Sequence, residues 1–302
     1  MWNSSSNLVL VDCTFRQNSG GTDGGALFNE LSTLEMTKCA FIDNSAESGG
    51  AIFNSEGCNT ALNNCIFSAN FALGGVAIGN SSSRLRITNC SFIANKHPEN
   101  DTWRYEDRYT LVCSTFQEYH SSTDVANCIF WNGGREIFNE DAGSTVTITY
   151  CDIKGGRAAI HDPCEGVIWG EGNVDVDPCF VDPGYWHDNG TPDKSWDDFW
   201  VDGDYHLKSQ AGRGDANEGR WTKDDVTSPC IDAGNPMSPI GREPFPNGGV
   251  INMGAYGGTQ EASKSYFGEP VCETIVAGDI DGDCKIDFGD FHLMALHWLE
   301  EH

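Results

Sequence analysis

The sequence predicts an all-β chain whose short parallel strands wind into stacked coils. Three observations carry that reading. Cysteines stand at positions 13, 39, 65 and 90, each followed two residues later by an aromatic, Phe15, Phe41, Phe67 and Phe92. Both series recur every 25 or 26 residues, and Asn18, Asn44, Asn70 and Asn95 keep the same step. A period of 20–50 residues marks a stacked repeat. The glycine pairs Gly24–Gly25, Gly49–Gly50 and Gly74–Gly75 step by 25 each time. Finally, no stretch of residues 1–260 holds a 3.6-residue apolar period over ten or more positions, and L-x-x-L-x-L spacing is missing, which sets helical and leucine-rich solenoids aside.

Within one repeat, Cys-x-Phe alternates as a strand does when one face is buried. Gly-Gly-Ala-apolar reads as a turn that allows φ > 0, followed by a second short strand. What remains is a parallel β-helix with two or three short strands per coil and coils about 4.8 Å apart. Equivalent residues then lie on one another. Cys and Phe stack inside, and asparagines form amide ladders at the turns. Cys13, Cys39, Cys65 and Cys90 are read as small buried packing groups. A one-dimensional stack does not converge four of them tetrahedrally on a metal.

After Asn95 the register breaks. Residues 96–109, "KHPENDTWRYEDRY", read as a loop thrown out of one coil, and Cys-x-Phe returns at Cys128–Phe130, a step of 38, or 25 plus an insertion of 13. Residues 144–156 read as a strand and a turn. Further on, residues 184–203 gather three tryptophans and five aspartates between two strand-like phrases.

Composition bounds the rest. The net charge of −27 argues against nucleic acid and against an anionic membrane surface as partners. No run of 18 apolar residues exists, so no membrane-spanning helix is expected. Of thirteen cysteines, seven lie in or near the repeat register. An acidic, Asn- and Thr-rich chain with such cysteines suits an exported protein. No signal peptide opens the chain, and Met1-Trp2-Asn3 runs straight into a repeat, so the natural chain is expected to start earlier, with a cap over the first strand edge.

Several phrases resemble a known family, the bacterial right-handed parallel β-helix repeat proteins of the secreted or surface type. They are the F-x-x-N and G-G-A-[IL]-x-N repeats, Gly-Asn-x-Asp-x-Asp-Pro-x-Phe at 172–180, Ser-Pro-Cys-Ile-Asp-Ala-Gly at 228–234, and Met-Gly-Ala-Tyr at 253–256. Relatives write the last as V-D-M-G-A-Y-E, whereas this chain has Asn252 and Gly257. The resemblance implies a right-handed β-helix over residues 1–260. Members of this fold include pectin and alginate lyases, epimerases and adhesins, so it leaves activity open.

The tail is a different object. Asp279, Asp281, Asp283, Asp287 and Asp290 fall at positions 1, 3, 5, 9 and 12 of a twelve-residue loop, the oxygen spacing of a Ca2+ site, with the Lys285 carbonyl at position 7. Phe291, Met294, Ala295, Trp298 and Leu299 follow at helical spacing. The phrase resembles one repeat of a dockerin-type calcium domain, as found near the C-termini of surface proteins, planctomycete ones among them. Position 6 is Cys284 where glycine is usual, and only one repeat is present where cohesin-binding dockerins have two. A Cys272–Cys284 disulfide is expected to hold the loop where that glycine is missing. The chain is thus divided into a β-helix (1–260), a linker (261–277) and a calcium loop with helix (278–302).

No G-x-S-x-G, H-E-x-x-H or phosphate loop is present. Two places remain for carbohydrate chemistry. Arg157, His161 and Asp162, beside Asp175 and Asp177, offer a cation and bases for a lyase. Trp186, Trp196 and Trp200 offer flat faces to sugar rings, or else fold back on the helix as a lid. The expected function is an extracellular or cell-surface β-helix protein, structural or carbohydrate-binding, with a calcium tail for anchoring or sorting. The alternative is a polysaccharide lyase or glycoside hydrolase acting on an acidic polysaccharide.

Overall fold

The computed structural model describes residues 1–96, 109–114, 120–191, 197–215, 219–268, 278, 280 and 285–297. Each coil is three strands joined by sharp corners. The first holds β1 (Trp2–Ser4), β2 (Asn7–Val11) and β3 (Thr14–Arg16), and the second β4 (Leu27–Glu30), β5 (Thr33–Thr37) and β6 (Ala40–Ile42). The third holds β7 (Ile52–Ser55), β8 (Asn59–Asn63) and β9 (Ile66–Ser68), and the fourth β10 (Ile78–Ser81), β11 (Arg84–Thr88) and β12 (Ser91–Ile93). The fifth holds β13 (Leu111–Ser114), β14 (Ser122–Ala126) and β15 (Ile129–Trp131), and the sixth β16 (Ile137–Asn139), β17 (Thr145–Thr149) and β18 (Asp152–Ile153). A seventh, partial coil adds β19 (Ile160–His161) and β20 (Val167–Trp169). Like strands pair in parallel into sheets of seven, seven and six strands.

The inward aromatic stack is present and one ring longer than the first four repeats predict. Phe15, Phe41, Phe67, Phe92 and Phe130 lie in register, with ring centroids 4.4–4.9 Å apart and planes within 3–8°. That spacing is the strand separation itself. The repeat cysteines Cys39, Cys65, Cys90, Cys128 and Cys151 lie in the same core, with half-buried Cys13 packed against it. The Cys65, Cys90 and Cys128 amides each point at the sulfur of the cysteine in the next coil, at 3.4 Å. The ten cysteines whose side chains are described are free thiols. Cys272 and Cys284 lie outside the described residues.

Corners rather than glycines do most of the turning. The residue before each Cys, Asp12, Lys38, Asn64, Asn89, Asn127 and Tyr150, sits at φ 49–55°. Asn and Asp enter this left-handed region most readily. The glycine pairs act where coils touch. A Cβ on Gly25 would meet the Gly50 carbonyl oxygen at 2.0 Å, and one on Gly50 the Val76 oxygen at 2.2 Å. Gly74 bridges Ser48, not Gly49. The third pair is out of step by one residue, which corrects the constant step of 25.

Two amide ladders run along the coils. Asn3, Asn29, Asn54 and Asn80 donate side chain to side chain at 3.0–3.3 Å. In the other, Asn18, Asn44, Asn70, Asn95 and Asn132 donate in one direction at 2.8–3.0 Å, and the chain ends on the buried carboxylate of Glu136, 2.7 Å from Asn132 Nδ2. Glu136 also accepts from the backbone amides of Asn132, Gly133 and Gly134.

The three-strand winding ends at Trp169 rather than near residue 260. Beyond it, Val174 bridges Asp152, and the chain then folds back along the outside of the solenoid. This return segment holds β21 (Phe180–Asp182), β22 (Tyr185–His187), β23 (Phe199–Val201), β24 (Asp204–Leu207), β25 (Arg213–Asp215) and β26 (Arg220–Thr222), paired antiparallel as β21–β24, β22–β23 and β25–β26. Phe180, Tyr205, Leu207, Cys230 and Met253 pack on Ile93 and Ile129, whose strands β12 and β15 turn these side chains away from the coil interior. Corner asparagines clamp it. Asn64 Nδ2 donates to the Ala255 and Gly257 carbonyls, and Asn127 accepts from Gly254 and Asn235. Gly254, at φ 87°, leaves no room for a Cβ, which would lie 2.9 Å from Ile129. Asn252 bridges the Asp232 amide and the Ser263 carbonyl at 2.8 Å each, using a donor that an aspartate lacks.

The last element is α1 (Phe288–His297). Among the described residues no helix is long and apolar enough to cross a membrane.

Candidate functional site

Strand alternation sorts the aromatics of the β22–β23 hairpin. Its register pairs Tyr185 with Val201, Trp186 with Trp200 and His187 with Phe199. The two tryptophans therefore share one face and Tyr185, His187 and Phe199 the other. Trp200 is 6% exposed and packs on Ile42 and Ala69, with Trp186 half-buried beside it. The Lys96 ammonium lies 3.9 Å from the Trp186 ring centroid. These rings are the lid on the solenoid flank, and Trp200 has no face left for a ligand. Trp196 lies outside the described residues. The open aromatics are their neighbours, Tyr185 at 53% and Phe199 at 43% exposure. His187 stacks on Phe199 at 4.8 Å and lies 6.4 Å from Tyr185, so the three rings form a continuous strip.

Asp202 holds the hairpin in place. Its carboxylate accepts from Trp200 Nε1 at 3.2 Å and from the Tyr205 hydroxyl at 2.9 Å, and it pairs with Arg16 of the first coil. Burial pushes the Tyr205 hydroxyl pKa well up, with the Asp202 charge adding to it. Around the tip, Asp197 accepts from Thr191.

The carboxylates beside Arg157 are committed to backbone. Asp162 accepts from Gly166, Val167 and the Asn139 side chain at 2.9–3.2 Å, with Arg157 at 3.5 Å. Asp175 accepts from Gly155 at 3.0 Å and Asp177 from Cys179 at 2.9 Å. His161 is exposed and stands against Phe138 and Tyr109. The set brings Arg157 to Asp162, and each carboxylate closes a turn.

In the tail, Asp279, Asp281 and Asp283 lie outside the described residues. Asp290 is buried, and its carboxylate accepts from the amides of Ile280 and Asp287. Asp287 accepts from Gly289 at 2.7 Å, and Lys285 is exposed. Among the described residues no three His, Cys, Asp or Glu side chains gather into a metal-binding group.

Residues 1–116 match the family model described as right handed beta helix region. That match and the three parallel sheets both support a right-handed β-helix repeat fold. No curated protein and no solved structure matches it.

Proposed function

We propose that this protein is an extracellular or cell-surface β-helix that binds polysaccharide through the outer face of its β22–β23 hairpin, and is anchored or sorted through a calcium-binding tail. One observation carries the reading: the hairpin turns Trp186 and Trp200 onto the solenoid and leaves Tyr185, His187 and Phe199 as an open strip. Flat rings suit the apolar faces of sugars, and phenol and imidazole add polar handles. Loops positioned by a rigid scaffold are where binding residues concentrate. A β-helix in general fits a surface or carbohydrate-related role. The acidic surface favours neutral polysaccharide, because polyanions would be repelled unless cations bridged them.

The tail reading rests on its donor chemistry. Asp279, Asp281, Asp283, Asp287, Asp290 and the Lys285 carbonyl form an all-oxygen set suited to Ca2+. Asp290 already draws residues 280 and 287 to the first turn of α1. Bound calcium would neutralise these carboxylates.

A panel of insoluble plant and algal polysaccharides tests the reading, with retained protein and released ultraviolet-absorbing unsaturated products or reducing ends measured together. Retention on a neutral polymer without product is expected. Product release would replace it with the lyase or hydrolase alternative.

A further inference from the structure

The turn that follows β22 decides how His187 meets a ligand. Thr191 donates its amide to the Asp188 carbonyl at 2.8 Å, and the Asp188 carboxylate accepts from the Gly190 amide at 3.0 Å. Asn189 sits in this turn at φ 50°, in the left-handed region that asparagine enters readily. Its amide donates to His187 Nδ1 at 2.9 Å.

A backbone N–H can only donate, so Nδ1 must accept. The neutral imidazole carries one proton, which therefore stands on Nε2. No described residue bonds Nε2, and Nε2 is not among the buried polar atoms left without a partner, so it is open to water. The side chain as a whole is 43% exposed. Its ring lies on Phe199, with centroids 4.8 Å apart and planes 18° from parallel, and Tyr185 stands 6.4 Å away. A fixed N–H donor is thus set into the aromatic strip. Ring faces alone bind a sugar in many poses, whereas one placed polar group fixes its orientation. A sugar with its apolar face on Phe199 carries its oxygens at the ring edge, where a donor beside the phenyl ring can meet them.

Protonation undoes the arrangement. The imidazolium carries a proton on both nitrogens, so its Nδ1–H would face the Asn189 N–H, donor against donor. The nearest acceptor for it is Asp188 Oδ1, 4.0 Å from Nδ1 and already bonded to Gly190. The ring must move to reach it, which disturbs its stack on Phe199. The other charged groups of the described tip are also carboxylates, Asp197, which accepts from Thr191, and Asp198 beside Phe199. Tyr185 faces the ring from its own strand, and neutral Phe199 from the other.

We infer that His187 is the orienting residue of the strip. Held by the Asn189 amide as the Nε2–H form, it donates to an acceptor oxygen at the edge of the sugar lying on Phe199, so the strip holds neutral polysaccharide while this imidazole is neutral and lets it go when it is charged. This role rests on the hairpin reading above, and it adds which side chain selects the pose and how acid releases the polymer. Loss of the return segment would act in the opposite sense, because the carboxyls of Asp152 and Glu243, raised by burial to about 7, favour its docking in acid.

Retention of the full chain on insoluble cellulose, chitin, mannan and xylan, measured from about pH 8 to about pH 5 with the melting temperature taken at each pH, tests this. Retention on at least one polymer is expected to be strongest near the upper end and to fall roughly tenfold by the lower end while the chain stays folded. His187→Phe keeps a ring beside Phe199 but has neither donor nor charge. It is expected to hold that polymer roughly threefold to tenfold more weakly at the upper end, the effect of one hydrogen bond, and with no pH dependence. His187→Gln restores an uncharged N–H donor and should recover part of the loss without recovering the pH dependence. Wild-type retention that is flat with pH or rises in acid, or undiminished retention of His187→Phe, overturns the role of His187. The hairpin reading survives that result if Tyr185→Ala/Phe199→Ala still loses the polymer. No retention of the wild type at any pH overturns both.

Discussion

Asn70 shows how much one repeated side chain does. Its Nδ2 donates to the Phe41 carbonyl and to Asn95 Oδ1, and its Oδ1 accepts from both the backbone and the side chain of Asn44. All of these groups are shut away from water. Replacing Asn70 by Ala strands a carbonyl and an amide in the core, at roughly 1–3 kcal/mol for each group left unpaired. Asn18→Ala, at the exposed end of the same ladder, should cost far less. Urea denaturation of the two variants checks the difference, and equal losses would contradict it. These residues were legible in the sequence, because stacking coils along one axis makes every equivalent contact recur at the coil length. The left-handed corners were not. Asp12, Lys38, Asn64 and Tyr150 share a conformation but little chemistry. The His206–Asp204 contact was equally hidden, since a pair two residues apart made once has no period.

At the scale of the element, the β22–β23 hairpin divides stability from binding. Trp200→Ala removes a ring packed on Ile42 and Ala69 and should destabilise by about 3–5 kcal/mol. Tyr185→Ala and Phe199→Ala remove rings that stand in water, and each should change stability by no more than about 0.5 kcal/mol. Chemical denaturation of the three variants separates these outcomes. Sequence alone identified this loop as an aromatic element. It did not say which rings face out, because the alternation becomes informative only once the register of Trp186 with Trp200 is known. The tail is the opposite case. Its carboxylate spacing is plain in the sequence, and Asp290 lies in the first turn of α1. EDTA should lower the helical circular-dichroism signal and speed proteolysis of residues 278–302, and Asp281→Ala should do the same without EDTA. No change in either signal would remove calcium from the account.

Across the whole molecule, a solenoid and a segment folded back along it share buried carboxyls. Asp152, on the sixth coil, accepts from Val176 and from the Cys230 thiol, and burial raises its pKa to about 7 from an ordinary 3.8. Burial likewise raises Glu243 to about 7, from 4.5, and moves Asp232 upward. A folded-state pKa above the unfolded value gives stability that is full below the unfolded pKa and is lost as pH rises through the folded one. Docking of the return segment should therefore weaken between about pH 4 and pH 7. Repulsion within a chain of net charge −27 acts in the same direction, so the informative comparison is with Asp152→Asn, whose melting temperature should fall less across that window. This half of the fold was the least legible. Its contacts are made once each, by the 172–180, 228–234 and 253–256 phrases, with Ser228 on Pro178, Cys230 on Asp152 and Gly254 on Asn127. Non-repeating contacts leave no period to read. The central claim is that the folded-back hairpin presents a polysaccharide-binding face that the scaffold does not need for its own stability. The measurement that tests it is retention of the Tyr185→Ala/Phe199→Ala chain on the polymer that retains the wild type, read beside its melting temperature. The account predicts at least a tenfold loss of retention with melting essentially unchanged. Undiminished retention, or a loss that comes only with unfolding, would contradict it.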